Sequence, residues 1–99
     1  MAIGMAMWAP GMTSETYDSV MEHLGWDDQD LPDGFISHYA CVSDEALFVF
    51  DVWESQADFE RFLHERLGAA LAAATGGQAP ALEPKFFEIH NENHARSRV

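Results

Sequence analysis

Residues 46–71, ALFVFDVWESQADFERFLHERLGAAL, decide the fold because their hydrophobic period changes once, just after Trp53. The first eight residues are apolar apart from Asp51, which is typical of a strand buried on both faces. Ser55 can cap the helix that follows, and Asp58 places a carboxylate among the free amides of its first turn. Apolar residues then recur with helical spacing at Phe59, Phe62, Leu63, Leu67, Ala70, Leu71 and Ala74. The stretch predicts a strand that leads into an amphipathic helix, half of a split β-α-β unit.

The rest of the chain supplies the partners of this unit. Apolar residues 2–8 predict a first strand, and Thr13 and Gly25 are suited to begin and end a first helix. The other strands and the second helix are predicted at 35–42, 46–53, 85–90 and 56–74. The order is β-α-β-β-α-β, an α+β fold with one antiparallel sheet and both helices on one face. We assign residues 1–92 to a single domain and 93–99 to a polar C-terminal tail.

Composition and charge exclude several classes of partner. The 99 residues carry 17 acidic side chains against 5 Lys and Arg, a formal net charge of -12. A field of this sign repels phosphate backbones and anionic lipids, so we expect no nucleic acid and no membrane as partner. No apolar run approaches the roughly 20 residues that span a bilayer, and the N-terminus lacks the basic region of a signal peptide. With a single cysteine, Cys41, these features predict a cytoplasmic protein.

Both faces of the third predicted strand are apolar. Phe48, Phe50 and Val52 project to one side, because alternate residues of a strand share a face. The residues that project to the other side are Leu47, Val49 and Trp53. Helices would cover only one face of the sheet, and a face in water should carry polar residues. The pattern therefore predicts that a second copy covers the other face, so that the protein is a homodimer.

With this element order over nearly the whole chain, the sequence resembles the dimeric α+β barrel superfamily, in particular small stand-alone proteins related to antibiotic-biosynthesis monooxygenases. The resemblance is carried by the junction Asp51-Val52-Trp53-Glu54-Ser55, followed by Asp58, Phe59 and Phe62. It implies that two ferredoxin-like sheets face each other across a dimer to form a barrel, with a ligand pocket between sheet and helices in each subunit. It implies no single chemistry, because the superfamily includes oxygenases, haem degraders, dismutases and cyclases.

The haem-degrading branch of that superfamily does not fit. When the sequences are aligned on Trp53-Glu54-Ser55, the pocket Trp of that branch falls at Phe62 and its haem-ligating His falls at Ala72. Its first-strand Asn has no counterpart in residues 2–8. The chain also lacks a glycine-rich phosphate loop. We therefore expect no cofactor.

A small polar set lies on the predicted inner strands. Asp51 projects on the same side as Trp53, His38 lies in the middle of the second strand, and His90 closes the fourth. Histidine titrates near neutrality, and an adjacent Asp can hold its tautomer and stabilise its cation. The predicted catalytic residues are therefore His38, Asp51 and His90. The predicted substrate-binding residues are Trp53, Phe62 and Tyr39.

Each polar side chain also has a purely structural interpretation. His38 would be a hydrogen-bonded interface residue, Asp51 a buried carboxylate bonded to loop amides or to a dimer partner, and Trp53 a core aromatic. His90, near a strand end and followed by Asn91, is equally consistent with an exposed position. His38, His90 and Asp51 are chemically sensible as a facial metal triad. Nothing in their spacing requires a metal, and we predict none.

The resemblance and the polar set predict a protein that modifies a small molecule, as a cofactor-independent oxygenase acting on an aromatic or polyketide-like substrate. The alternative is a non-catalytic dimer that binds a small apolar ligand or has a structural role. An enzyme should contain a pocket of roughly a few hundred Å³ that exposes His38, Asp51 or His90. A structural dimer should contain no pocket. The sequence names no substrate.

Overall fold

The computed structural model describes residues 2–27, 29–44, 46–77 and 82–93. The strands are β1 (Ile3–Pro10), β2 (Phe35–Val42), β3 (Ala46–Trp53) and β4 (Lys85–Glu88). The helices are α1 (Ser14–Leu24), α2 (Gln56–Phe62) and α3 (Gly68–Thr75), and a π-helical segment (Leu63–Leu67) joins α2 to α3. The predicted order is confirmed, with the second helix divided by the π-helical segment.

The four strands form one antiparallel sheet in the order β2-β3-β1-β4, which confirms the predicted ferredoxin-like fold. Each helical crossover skips one strand, as two interleaved split β-α-β units require. A bulge at Ile36 interrupts the ladder, because Phe35 pairs with Trp53 whereas Ser37 pairs with Val52. Because of the extra residue, the side chains of β2 that follow the bulge project to the opposite face from the one that regular alternation would give.

The predicted helix boundaries follow from local hydrogen bonds. The hydroxyl of Thr13 accepts from the amide of Thr16 at 3.1 Å, and Gly25 ends α1 in the left-handed conformation with φ of 64°. The hydroxyl of Ser55 accepts from the amide of Asp58 at 3.1 Å and donates to its carboxylate at 2.9 Å. The turn from β3 into α2 is thereby fixed directly after Trp53.

The hydrophobic core lies between the helices and the inner face of the sheet. Its largest fully buried side chains are Trp53, Phe59, Met5 and Leu47. The ring of Phe59 meets Trp53 edge to face at 5.6 Å between centroids and meets Phe86 in the same way at 5.7 Å. This aromatic cluster anchors α2 to the middle of the sheet.

The outer face of the sheet exposes large aromatic side chains. Trp8 and Tyr39 are each 55% exposed, and Phe87 is 54% exposed. Phe48 and Phe50 lie half-buried beside them, with the Phe48 ring 5.8 Å from that of Trp8. The apolar character predicted for both faces is therefore present, and the outer face is an exposed aromatic patch.

The π-helical segment keeps the apolar side chains of the helical stretch 56–75 on the side that packs against the core. Phe62 and Leu67 are both buried although they are five residues apart. A regular α-helix turns about 140° further than one full turn over five residues, so it would point them apart. The wider turn closes with a hydrogen bond from the amide of Gly68 to the carbonyl of Leu63. Phe62 and Leu67 therefore share one face.

Arg66 connects the helical stretch 56–75 to the end of α1. Its guanidinium donates to the carbonyl of Leu24 at 3.4 Å and to that of Asp30 at 3.3 Å. The first of these carbonyls belongs to the last turn of α1, where backbone acceptors lack helical partners. The contact holds α1 against this stretch on the inner side of the sheet.

Within the described part of the chain, no helix is long and apolar enough to cross a membrane. Most of the predicted tail, residues 94–99, lies outside the described residues.

Candidate functional site

The pairing of β2 with β3 places His38 directly opposite Asp51. Nδ1 of His38 lies 2.5 Å from Oδ1 of Asp51, and the side chains are 22% and 6% exposed, respectively. The bulge at Ile36 contributes to this meeting, because it sets which residues of β2 face inward. A carboxylate this deeply buried needs hydrogen-bond partners to offset its lost hydration, and His38 is one of them.

Trp53 is the second partner of the carboxylate. Its indole Nε1–H donates to Oδ2 of Asp51 at 3.1 Å, and the residue is 1% exposed. Both oxygens of Asp51 are therefore engaged, which fixes the plane of the carboxylate. Since a carboxylate only accepts, Nδ1 of His38 carries a proton and donates it to Oδ1.

Tyr17 of α1 extends the chain from the sheet to the helices. Its Oη lies 2.6 Å from Nε2 of His38. In a neutral imidazole protonated at Nδ1, Nε2 is an acceptor, so the phenol of Tyr17 donates to it. A connected chain of donors thus runs from Tyr17 through His38 to Asp51. Such a chain can accept a proton at its Tyr17 end and stabilise the resulting imidazolium beside Asp51.

A cavity between α1, the π-helical segment and the sheet reaches this chain. Tyr17, His38 and Asp51 line it together with apolar side chains, among them Met7, Met12, Met21, Trp26 and Phe62. It offers about 60 Å³ to the centres of water-sized molecules, enough for a few waters. This volume is smaller than the few hundred Å³ expected for an enzyme, because methionine and leucine side chains fill the space. The methionine side chains are unbranched and flexible, so they can repack around a ligand.

Trp26 forms an aromatic wall beside the histidine. Its ring centroid lies 6.1 Å from that of His38, 5.8 Å from that of Phe62 and 5.2 Å from that of Phe35. Residues 26–34 have the sequence WDDQDLPDG, whose acidic residues are typical of a solvated loop, but Trp26 at its start packs inward. Trp26 also lines the cavity, so its ring offers a flat surface to a ligand beside the imidazole.

Burial raises the pKa of the Tyr17 phenol above its usual 10.0, and the negative charges of Asp51 and Asp18 raise it further. The resting tyrosine is therefore neutral and keeps its proton. If Tyr17 passes its proton to His38, its oxygen must receive another proton at the same time, because the phenolate is disfavoured. Tyr17 is therefore suited to relay a proton rather than to rest as a phenolate.

The alkaline limb of the stability curve tests the environment of Tyr17. An unfolded tyrosine ionises near 10.0 and the folded one only at higher pH, so folding retains a proton that the unfolded chain releases. The stability contributed by this difference is present below pH 10 and is lost as pH rises through the folded pKa. We expect the stability advantage of the wild type over Tyr17→Phe to shrink between pH 8 and about pH 11 in urea denaturation. A constant difference would contradict the assigned burial.

The structure brings together only part of the predicted set. His38 and Asp51 are in direct contact, and Phe62 lines the cavity. Trp53 is enclosed in the core and reaches the site through its N–H, so the expected stacking of a substrate on its ring does not fit its burial. Tyr39 follows His38 in β2 and so projects to the outer face, where it is 55% exposed.

His90 does not reach the site. β4 ends at Glu88, and His90 is exposed beyond it. β4 also occupies the edge of the sheet opposite to β2, with β1 and β3 between them. The structure therefore does not bring His90 together with His38 within one chain, since β3 and β1 lie between their strands.

Tyr17 and Trp26 were missed by the sequence interpretation. Tyr17 fits the apolar spacing of α1, so it reads as a core residue. The available signal was its hydroxyl, because a buried tyrosine usually directs its O–H at a polar partner. Trp26 gave a weaker signal, as a large apolar residue at the start of a polar loop.

The described residues contain no group of three or more His, Cys, Asp or Glu side chains placed to hold a metal ion. The facial triad considered from the sequence is not assembled, because His90 lies away from His38 and Asp51. The polar side chains that the structure brings together are a phenol, an imidazole and a carboxylate, groups that can pass a proton along their hydrogen bonds.

Comparison with known proteins gives a fold and no sequence family. No family model matches the chain, and no curated protein matches it. Its structure is similar to SnoaB, a cofactor-independent oxygenase from Streptomyces nogalater, with 18% identity, a TM-score of 0.60 and coverage of 92% of this chain and 94% of that one. It is also similar to NE2512, a protein of unknown function from Nitrosomonas europaea, with 13% identity, a TM-score of 0.66 and coverage of 97% and 96%.

A third structure, a provisionally assigned antibiotic biosynthesis monooxygenase from Chloroflexus aurantiacus J-10-fl, matches at 15% identity and a TM-score of 0.66, over 98% of this chain and all of that one. Identities this low establish the fold alone. The resemblance to antibiotic-biosynthesis monooxygenase-like proteins is thus confirmed at the level of the fold.

Proposed function

We propose that this protein takes a proton from a small aromatic or polyketide-like molecule in the cavity and so promotes its oxygenation by dioxygen, without a bound cofactor. The observation that carries the proposal is the hydrogen-bonded chain Tyr17–His38–Asp51 at the polar end of an apolar cavity. The fold shared with a cofactor-independent oxygenase supports the oxygen step.

The proton moves through Tyr17. As the phenol oxygen receives the substrate proton, its own proton passes to Nε2 of His38, 2.6 Å away. The imidazolium that forms is held by Asp51, whose second oxygen is held in turn by Trp53. The apolar lining strengthens this ion pair, because it excludes the water that would screen it. His38 is the base of the reaction, and Tyr17 relays the proton.

Oxygen then reacts with the substrate anion. The anion gives one electron to dioxygen, and the resulting radical and superoxide combine to form a C–O bond. The peroxide takes the proton back from His38 through Tyr17, and loss of water from the hydroperoxide leaves a ketone. The balance is that one CH₂ group and one O₂ become one C=O group and one H₂O. The substrate supplies all of the electrons.

Oxygen uptake tests this proposal. Purified protein is mixed with a panel of activated CH₂ compounds of two or three fused rings, namely 2-indanone, 2-tetralone and anthrone. We expect at least one of them to consume O₂ faster than in buffer and, under ¹⁸O₂, to gain one labelled oxygen. The matched control is Tyr17→Phe, which interrupts the relay and should slow uptake by about tenfold or more. Uptake that is no faster than in buffer for all three compounds would contradict the proposal.

The alternative of a non-catalytic binding protein is favoured by the apolar side chains that make up most of the cavity lining, since such a lining binds apolar molecules whether or not a reaction follows. The two functions differ in one result. Binding of the panel without oxygen uptake would support the binding protein.

We further propose that the outer face of the sheet joins a second copy. The aromatic patch around Trp8, Tyr39 and Phe87 is exposed in one chain, and burial of such a patch is a common reason for association. Two antiparallel sheets packed face to face would bury it without changing the inner face. Each subunit would then carry its own cavity.

A further inference from the structure

The direction of the hydrogen bonds at the site determines what the cavity can bind. Trp53 donates to Oδ2 of Asp51, so both carboxylate oxygens act as acceptors and His38 donates from Nδ1. Nε2 then carries a lone pair and no proton, so the hydroxyl of Tyr17 donates its one hydrogen bond to Nε2. The phenol oxygen of Tyr17 has lone pairs left and no proton to offer.

We infer that the cavity binds small neutral molecules that donate a hydrogen bond to Tyr17, namely alcohols, phenols or enols, including the enol forms of ketones with an activated CH₂ group. A carbonyl or ether of the same shape would direct lone pairs at the lone pairs of Tyr17. A carboxylate ligand would be repelled by the lone pairs of the Tyr17 oxygen and also by the negative charge of Asp51. The inference deepens the proposed function, because it assigns the ligand class of the same chain of side chains.

Charge and size support this ligand class. The polar lining is Tyr17, His38 and Asp51, and the described lining residues include no Lys or Arg to pair with an anion. The net charge of -12 adds a repulsive field. About 60 Å³ is less than the roughly 150 Å³ of an apolar cavity that holds benzene, so even one ring requires the methionines of the lining to move.

Asp51→Asn should reverse the polarity of the site. The Asn carbonyl would accept from Trp53, so its amide would donate to Nδ1 of His38. The imidazole would then carry its proton on Nε2 and donate to Tyr17, whose own O–H would turn to the cavity. A site that accepts from the ligand would become one that donates to it, with almost no change in shape.

Equilibrium binding measured by ¹⁹F NMR tests the inference at pH 8.5. The probes are 4-fluorophenol as donor, 4-fluorobenzaldehyde as acceptor, 4-fluorotoluene with neither group and 4-fluorobenzoate as anion. For the wild type we expect 4-fluorophenol to bind about tenfold more tightly than the aldehyde or the toluene, and the benzoate to bind most weakly. For Asp51→Asn we expect the preference for the phenol over the aldehyde to vanish or reverse.

Several results would overturn the inference: aldehyde or benzoate binding as tight as that of the phenol, no phenol binding up to its solubility, or an unchanged preference in folded Asp51→Asn. If that variant does not fold, ¹⁵N NMR of the wild-type histidines decides, since His38 should be protonated at Nδ1 alone. A proton on Nε2 of His38 would contradict the inference. None of the probes has the activated CH₂ group that oxygenation needs, so failure of oxygen uptake would leave this result standing.

Discussion

Replacement of His38 by Ala should lower oxygen uptake by about a hundredfold or more, the usual loss when a general base is removed. Without the imidazole, Tyr17 has no acceptor for its proton, and its raised pKa prevents it from serving alone as the base. The rate is measured with the panel compound that reacts fastest with the wild type.

His90→Ala is the matched control for His38→Ala. It removes the same side chain from an exposed position beyond β4, and it should change the rate by no more than about twofold. A His38→Ala protein that stays folded and keeps wild-type oxygen uptake would remove His38 from the mechanism. A large loss in His90→Ala would restore the grouping that the sequence predicted.

Trp8→Glu should dissociate the proposed dimer, with an increase in Kd of about a hundredfold or more. Trp8 lies in β1, a central strand, and its ring contacts Phe48 on the outer face. In a face-to-face dimer, a glutamate there would be buried without a partner. Sedimentation equilibrium measures the change, and the wild type should have twice the chain mass of 11.1 kDa.

Leu31→Glu is the control for this substitution. Leu31 is a large apolar residue, 37% exposed, in the loop before β2 rather than on the sheet. It adds the same charge to an already acidic protein, so it separates general repulsion from loss of the patch. Equal weakening by both variants would point to repulsion, and a wild type that is monomeric at high concentration would refute the dimer.

Much of the fold could be predicted because residues 46–71 contain two hydrophobic patterns in succession. The change after Trp53 from a short continuous apolar run to apolar residues with a period of 3.6 places a strand and a helix with little ambiguity. Capping residues such as Thr13 and Ser55 then locate the helix starts to within a residue. These are local signals, and local signals survive in a single sequence.

The site was only partly predictable because it depends on contacts between distant elements. Strand parity placed Asp51 with Trp53 on one side, but the bulge at Ile36 sets the parity of β2 and leaves no recognisable pattern in the sequence. Tyr17 meets His38 across 21 residues of chain, and its spacing in α1 is that of any core residue. His90 lies outside the site because β4 ends at Glu88 and occupies the edge of the sheet opposite to β2, and a single sequence determines neither feature.

The π-helical turn at Leu63–Leu67 has a consequence for insertions and deletions. A chain without one residue between Phe62 and Leu67 would set these two side chains four apart, and an uninterrupted α-helix would then present the same apolar face. The turn can therefore be described as a one-residue insertion that the helix has absorbed locally. Helix length in this protein can thus vary by one residue without shifting the alignment of Phe59 or Leu71 with the core.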